Sequence, residues 1–274
     1  MIAVVTDSNS QIPPSLVERF GIAVVPLPVT VDGRTYLEGV DLDADDFYAR
    51  FEAGVPEVAT AQPSPGQFAA VYDRLVAEGA EEIVSVHIGS SVSGTINSAR
   101  LAAADIAVPV RIVDTGTASF AIALCTWAAA EALAGGASGE EAAVTAERTA
   151  AQVGNVFVVR ALELARAGGR LAQGADATGI PVLSMDGGVM HVVGQAAGLD
   201  EVAGLMADHI RRGGRDLRVG IGVADAGVAH LWDVLEDRLA GAPEIREVVR
   251  YRVGPSVGVH TGPGTVGAMY APTQ

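Results

Sequence analysis

Ser90, Ser91, Ser93 and Thr95 crowd the stretch SVHIGSSVSGTINSAR (85–100), where an apolar run hands over to a helical pattern. The first N–H groups of a helix have no partner inside it, and its N-terminal end is positive. Hydroxyls placed at such a turn therefore read as an anion site. Two aspartates stand at comparable strand ends, Asp7 in Thr6-Asp7-Ser8 and Asp114 before Thr115, and a fourth polar loop, TAQPSPG (60–66), precedes another helix. Each serine has a simpler role as a helix cap. Asp7 and Asp114 have the chemistry of metal ligands or acid–base groups, set against the plainer one of accepting hydrogen bonds from loop amides. Three polar strand ends on one edge exceed what capping alone requires. The five histidines, His87, His191, His209, His230 and His260, are all isolated, so no pair has the spacing of a metal site and no metal is expected.

Composition removes other chemistries. All 18 basic residues are arginine. Without lysine there is no Walker phosphate loop, no Schiff base and no pyridoxal chemistry. A formal net charge of −15 disfavours nucleic acid and anionic membrane surfaces as partners. Cys125 is the only cysteine, so neither an internal disulfide nor a cysteine zinc site can form, and a reduced cytoplasmic setting is expected. No apolar run approaches the roughly 20 residues that span a bilayer, and nothing basic precedes the first strand, so neither a transmembrane segment nor a secretory leader is expected. GPGTVG (262–267) fits a dinucleotide fingerprint, but only seven residues follow it, too few for a βαβ unit. GSSVSG (89–94) falls short of a nucleophile elbow, because Ser93 stands where that motif needs its second glycine.

The elements that must position these residues alternate in the first half. Strands are predicted at 2–6, 81–88 and 110–114, with an extended run at 22–31 and a turn at Asp32-Gly33. Helices are predicted at 13–21, from Asp43 to about Phe51, at 64–79, from Ser93 to Asp105, and at roughly 117–134 and 138–152. That is the rhythm of βαβ units and of a doubly wound, mostly parallel sheet, whose ligands bind beyond the carboxyl ends of the strands. Beyond about residue 153 come NVFVVR (155–160), a hairpin around Asp186-Gly187-Gly188, helices at 200–212 and 226–240, a strand at 217–223 and two closing strands. The chain is therefore read as a doubly wound α/β domain, 1–154, followed by a second α/β domain with a mixed or antiparallel sheet, 155–274.

With these pieces placed, the chain resembles the DegV family of bacterial fatty-acid-binding proteins along its length. The resemblance is carried in order by TDS (6–8), TAQPSPGQF (60–68), SSVSGTINSA (90–99), VDTGTAS (113–119), GGRL (168–171), GIPVLSMDGGV (179–189) and VHTGPGTVG (259–267). It departs at Ala61 and Thr115, where the family has serine. The resemblance implies a two-domain α/β fold around a buried acyl chain, with a fatty acid as ligand and no cofactor. It implies that Thr60 and Ser93 hydrogen-bond the carboxylate, while Arg170 and His260 come from the second domain to the rim of the site. Asp7, Ser8, Ser91, Gly94, Thr95 and Asp114 would shape the loops around it. The expected function is to present the carboxylate to a separate ATP-dependent fatty acid kinase, which forms an acyl phosphate for phospholipid synthesis. The rivals are a self-sufficient hydrolase or phosphotransferase using Asp7, Ser93 or His260, and a carrier of another small organic acid.

Overall fold

Strand β1 (Ile2–Asp7) is buried from its second residue to its last, as a strand covered on both faces must be. Helix α1 (Pro14–Phe20) starts on a proline and stops at left-handed Gly21. The run 22–31 then does not continue as one strand. Pro26 and Pro28 cannot donate to a ladder, and the run divides into β2 (Ala23–Val25), parallel to β1, and β3 (Pro28–Val31). Asp32 and Gly33, both at positive φ, make the expected tight turn from β3 into β4 (Arg34–Leu37). In the next segment the Asp43 carboxylate accepts Asp46 N (2.8 Å) and caps α2 (Ala44–Ala49). Strand β5 (Val58–Thr60) joins β3 to complete a small antiparallel sheet in the order β4-β3-β5.

Ser64 and Gln67 form a capping box at the head of α3 (Pro65–Ala77). There follow β6 (Glu82–His87), α4 (Thr95–Ala103), β7 (Val110–Asp114), α5 (Phe120–Ala134) and α6 (Gly139–Ala150). The larger sheet has the order β2-β1-β6-β7 and is parallel throughout. Its two faces follow from strand alternation. Ala3, Val5 and Ile83 meet Phe68, Tyr72 and Leu75 of α3 and Ala99 of α4. On the opposite face Thr6 meets Thr126 of α5 through their hydroxyls (3.3 Å). Every residue of α5 from Phe120 to Ala130 is buried, and burial pushes the Cys125 thiol up to about 12, which removes thiolate chemistry.

The later elements are β8 (Gly154–Val158), β9 (Ile180–Asp186), β10 (Val189–Ala196), α7 (Leu199–Arg211), β11 (Leu217–Val223), α8 (His230–Leu239), β12 (Ile245–Arg252), α9 (Pro255–Thr261) and β13 (Val266–Pro272). Their sheet, β10-β9-β8-β13-β11-β12, is mixed: β11 and β12 pair in parallel, and the other described pairings are antiparallel. Helices α7 and α8 bury Met206, Ile210, Leu231 and Leu235 among Val156, Val219, Ile221 and Ala268. Between the two closing strands, where no helix is predicted, the chain inserts α9, begun by Pro255 and ended at Gly262 with φ 69°.

This computed structural model describes residues 1–159, 179–186 and 189–273. By their contacts they form two units, 1–42 with 57–152, and 43–56 with 153–273. Residues 43–56, which the sequence reading places in the first domain, cluster with the second because Phe47 and Tyr48 of α2 lie against Gly258 of α9. A β-carbon at Gly258 would stand 2.6 Å from the Tyr48 hydroxyl oxygen and 2.7 Å from the Phe47 ring. Gly258→Ala is therefore expected to cost about 1–3 kcal/mol by overpacking. Denaturant unfolding checks this, and wild-type stability would mean that α2 does not dock on α9.

Candidate functional site

Strands β1, β6 and β7 are neighbours and parallel, so Asp7, His87 and Asp114 end at one edge. The loops beyond that edge hold the hydroxyls singled out in the sequence. Beneath them lies a polar chain that the sequence reading did not assemble. Asp7 Oδ2 accepts Ile88 N (3.0 Å) and faces His87 Nδ1 (3.0 Å), while Asp7 Oδ1 accepts Asn9 N (3.1 Å). His87 Nε2 meets Ser85 Oγ at 2.6 Å, and Ser85 Oγ meets the Tyr72 hydroxyl at 2.8 Å. Burial pushes the Tyr72 phenol up to about 12, against the opposing pull of its bond to Ser85, so it stays neutral. The Phe68 ring stands edge-on to His87 at 5.0 Å, and all four linked side chains are fully buried.

Asp–His–Ser is the order of a hydrolytic relay. Here, however, Ser85 is buried with its oxygen shared between His87 and Tyr72, so it faces no substrate. What the chain does is mechanical. It joins β1, β6 and α3 and fixes where the backbone leaves β6. The Thr115 hydroxyl adds a bond to the His87 carbonyl (2.8 Å), which brings in the β7 loop.

From Ile88 the chain enters the serine turn. Gly89 N donates to Thr117 O (2.8 Å), and Gly89 O accepts Val92 N (2.9 Å) and Ser93 N (3.0 Å). A side chain at Gly89 would strike the Gly116 backbone, so only glycine lets the turn rest on the β7 loop. Asp114 Oδ1 accepts Ser90 N and Gly116 N, both at 3.1 Å. Burial works to raise the Asp114 carboxyl, but hydrogen bonds from Ser90 and Gly116, with Arg100 nearby, hold it below the usual range. Asp7 and Asp114 thus both accept loop amides.

Helix α4 opens at Thr95, two residues later than predicted, so Ser93 lies just outside it. The Ser93 oxygen accepts Thr95 N (3.3 Å) and lies 2.9 Å from the Thr95 hydroxyl. When Thr95 donates, both lone pairs of Ser93 are engaged and its single proton is left for another acceptor. Thr95 is buried, Ser93 half-buried, and Ser90, Ser91 and Gly94 are exposed.

Thr60 ends β5 opposite Val29 and is half-buried. Ser8 donates to Glu38 (2.5 Å) and accepts Leu27 N (2.9 Å), and so ties the end of β1 to the segment that carries β3 and β4. Gln62 was not picked out from the sequence as a site residue, yet its Nε2 donates to Ser98 Oγ of α4 at 3.3 Å. Its signal in the sequence is its place inside TAQPSPGQF, two residues after Thr60. In the other unit, His260 is exposed in the last turn of α9. Arg170 lies outside the described residues. Among the described residues, no group of three or more His, Cys, Asp or Glu could hold a metal ion, and no helix is long and apolar enough to cross a membrane.

A family model described as DegV matches residues 1–273. A DegV domain-containing protein of Streptomyces coelicolor is 34% identical over 280 residues, covering 98% of this chain and 97% of the relative. A DegV family protein of Thermus thermophilus, described for its fatty acid binding, superposes with a TM-score of 0.87 at 32% identity over 99% of each chain. DegV of Bacillus subtilis, described as a fatty acid binding protein, superposes with a TM-score of 0.83 at 26% identity over 98% of each chain.

Proposed function

The chain belongs to the DegV family, and on that footing we propose that it binds a long-chain fatty acid and presents the carboxylate to a separate ATP-dependent fatty acid kinase. The observation that carries the reading is the serine turn itself: a half-buried Ser93 hydroxyl at the head of α4 whose oxygen accepts Thr95 N and lies 2.9 Å from the Thr95 hydroxyl. The fatty-acid-binding relatives of like fold support the choice of ligand. In this reading Ser93 and Thr60 donate to the carboxylate, and the positive end of α4 adds to them. Arg170 and His260 serve the phosphoryl transfer that the kinase carries out, so the chain itself is a carrier and not the catalyst. Phospholipid synthesis is the use of the acyl phosphate, and a reduced cytoplasm the setting.

Magnitudes divide the labour. Burial contributes about 0.8 kcal/mol per methylene, so a tail of about 14 methylenes supplies on the order of 11 kcal/mol before entropy and desolvation are counted. One charge-assisted hydrogen bond contributes about 1.5–3 kcal/mol. The tail supplies affinity and the headgroup sets orientation.

Protein expressed in bacteria should therefore carry a fatty acid in near-stoichiometric amount, released by denaturing extraction and identified by mass spectrometry. Ser93→Ala should weaken binding of the acid about 10- to 100-fold, with Thr60→Ala milder. Bare polypeptide from the extraction, or wild-type affinity in both variants, would count against the proposal. Turnover of a substrate without any partner protein would favour the self-sufficient enzyme instead.

A further inference from the structure

The loop that carries Thr60 is held at both ends, by the pairing of β5 with β3 and by the capping box of α3, with Ala61 N bonded to Pro28 O (3.0 Å). From its middle, Gln62 reaches across to α4. Its amide occupies the volume that a side chain at position 94 would fill, and its Nε2 bonds the buried Ser98 hydroxyl (3.3 Å). Gly94 has φ −74° and ψ 3°, a conformation open to any residue. A β-carbon at 94 would therefore displace the Gln62 amide, the far end of an exposed side chain, while the backbone there needs no glycine. Gln62 lies two residues after Thr60, and Gly94 one residue after Ser93. The amide is thus a direct link between the segments that bear the two hydroxyls.

We propose that Gln62 is a positioning residue, seated in the space left by Gly94, that sets the separation of the Thr60 loop from the Ser93 turn and so the fit of the site to a carboxylate. The inference rests on reading that turn as a carboxylate site. Gln62 does not act on the acyl chain, so its loss should affect an acid and spare the matching alcohol. A role in stability alone would weaken both equally.

The test uses the full chain, stripped of lipid, with oleic acid and oleyl alcohol as probes. Gln62→Ala should weaken oleic acid about five- to tenfold, the value of one hydrogen bond, and leave oleyl alcohol unchanged. Gly94→Ala should do the same, because its methyl evicts the amide. The double variant should be no weaker than either single one, since the methyl then fills a vacated space. An unchanged preference for acid over alcohol in both single variants, or losses that multiply in the double variant, would overturn the proposal. Wild-type protein that fails to prefer the acid would instead overturn the carboxylate reading on which it rests.

Discussion

Asp7→Ala is expected to cost about 3–5 kcal/mol of stability, although Asp7 touches no ligand in the proposed function. The carboxylate is the acceptor for Ile88 N, Asn9 N and the His87 ring. A buried donor left without an acceptor costs about 1–3 kcal/mol, and the Asp7 carboxylate serves two backbone amides and the His87 ring. Repacking and entering water offset part of the larger sum. Asp7→Asn should also destabilise, because its amide would turn an N–H toward at least one existing donor. The measurement is urea unfolding of lipid-free protein, since a bound ligand would stabilise the folded state and mask the loss. The slope of the transition should stay that of the parent. A loss below about 1 kcal/mol would show that the buried chain from Asp7 to Tyr72 is not what holds the ends of β1 and β6.

The second large effect separates holding the ligand from passing it on. Arg170→Ala and His260→Ala should still purify with bound fatty acid, yet be phosphorylated about 10²- to 10³-fold more slowly by a cognate kinase. That is the range for removing one preorganised donor to charge that develops in the transition state. A guanidinium can take two oxygens of a transferring phosphoryl group, and an imidazole can donate to another. Such contacts strengthen as charge builds, so their loss falls on turnover more than on ground-state binding. Bound lipid by mass spectrometry and kinase-dependent acyl phosphate should be measured on the same preparations. Normal phosphorylation of both variants would remove the two residues from the transfer, and loss of lipid would make them ordinary binding residues.

The parallel sheet was legible because its strands are short apolar runs punctuated by polar ends, and the β9–β10 hairpin because Asp-Gly-Gly interrupts an extended pattern. Boundaries were harder. Ser93 satisfies the composition of a cap, but Gly94 intervenes and α4 begins at Thr95. Helix α9 was missed because it is short and carries Gly258 inside it, which outweighed the start and stop signals of Pro255 and Gly262.

From residue order alone came the local matters: an edge with hydroxyls and carboxylates, a first domain of βαβ units, the excluded lysine chemistries and the resemblance to a lipid-binding family. These depend on periodicity, turn residues and composition, which are properties of neighbours along the chain. Tertiary structure alone decided which distant residues share a proton or a space. The β1–β6 register sets Thr6 beside Val86, and alternation then turns Asp7, Ser85 and His87 to the face where Tyr72 of α3 waits. The seat of Gln62 against Gly94 and the docking of Phe47 on Gly258 are of the same kind. Each joins segments far apart in sequence, and the order of residues holds no record of such a meeting until the sheet and its helices have closed.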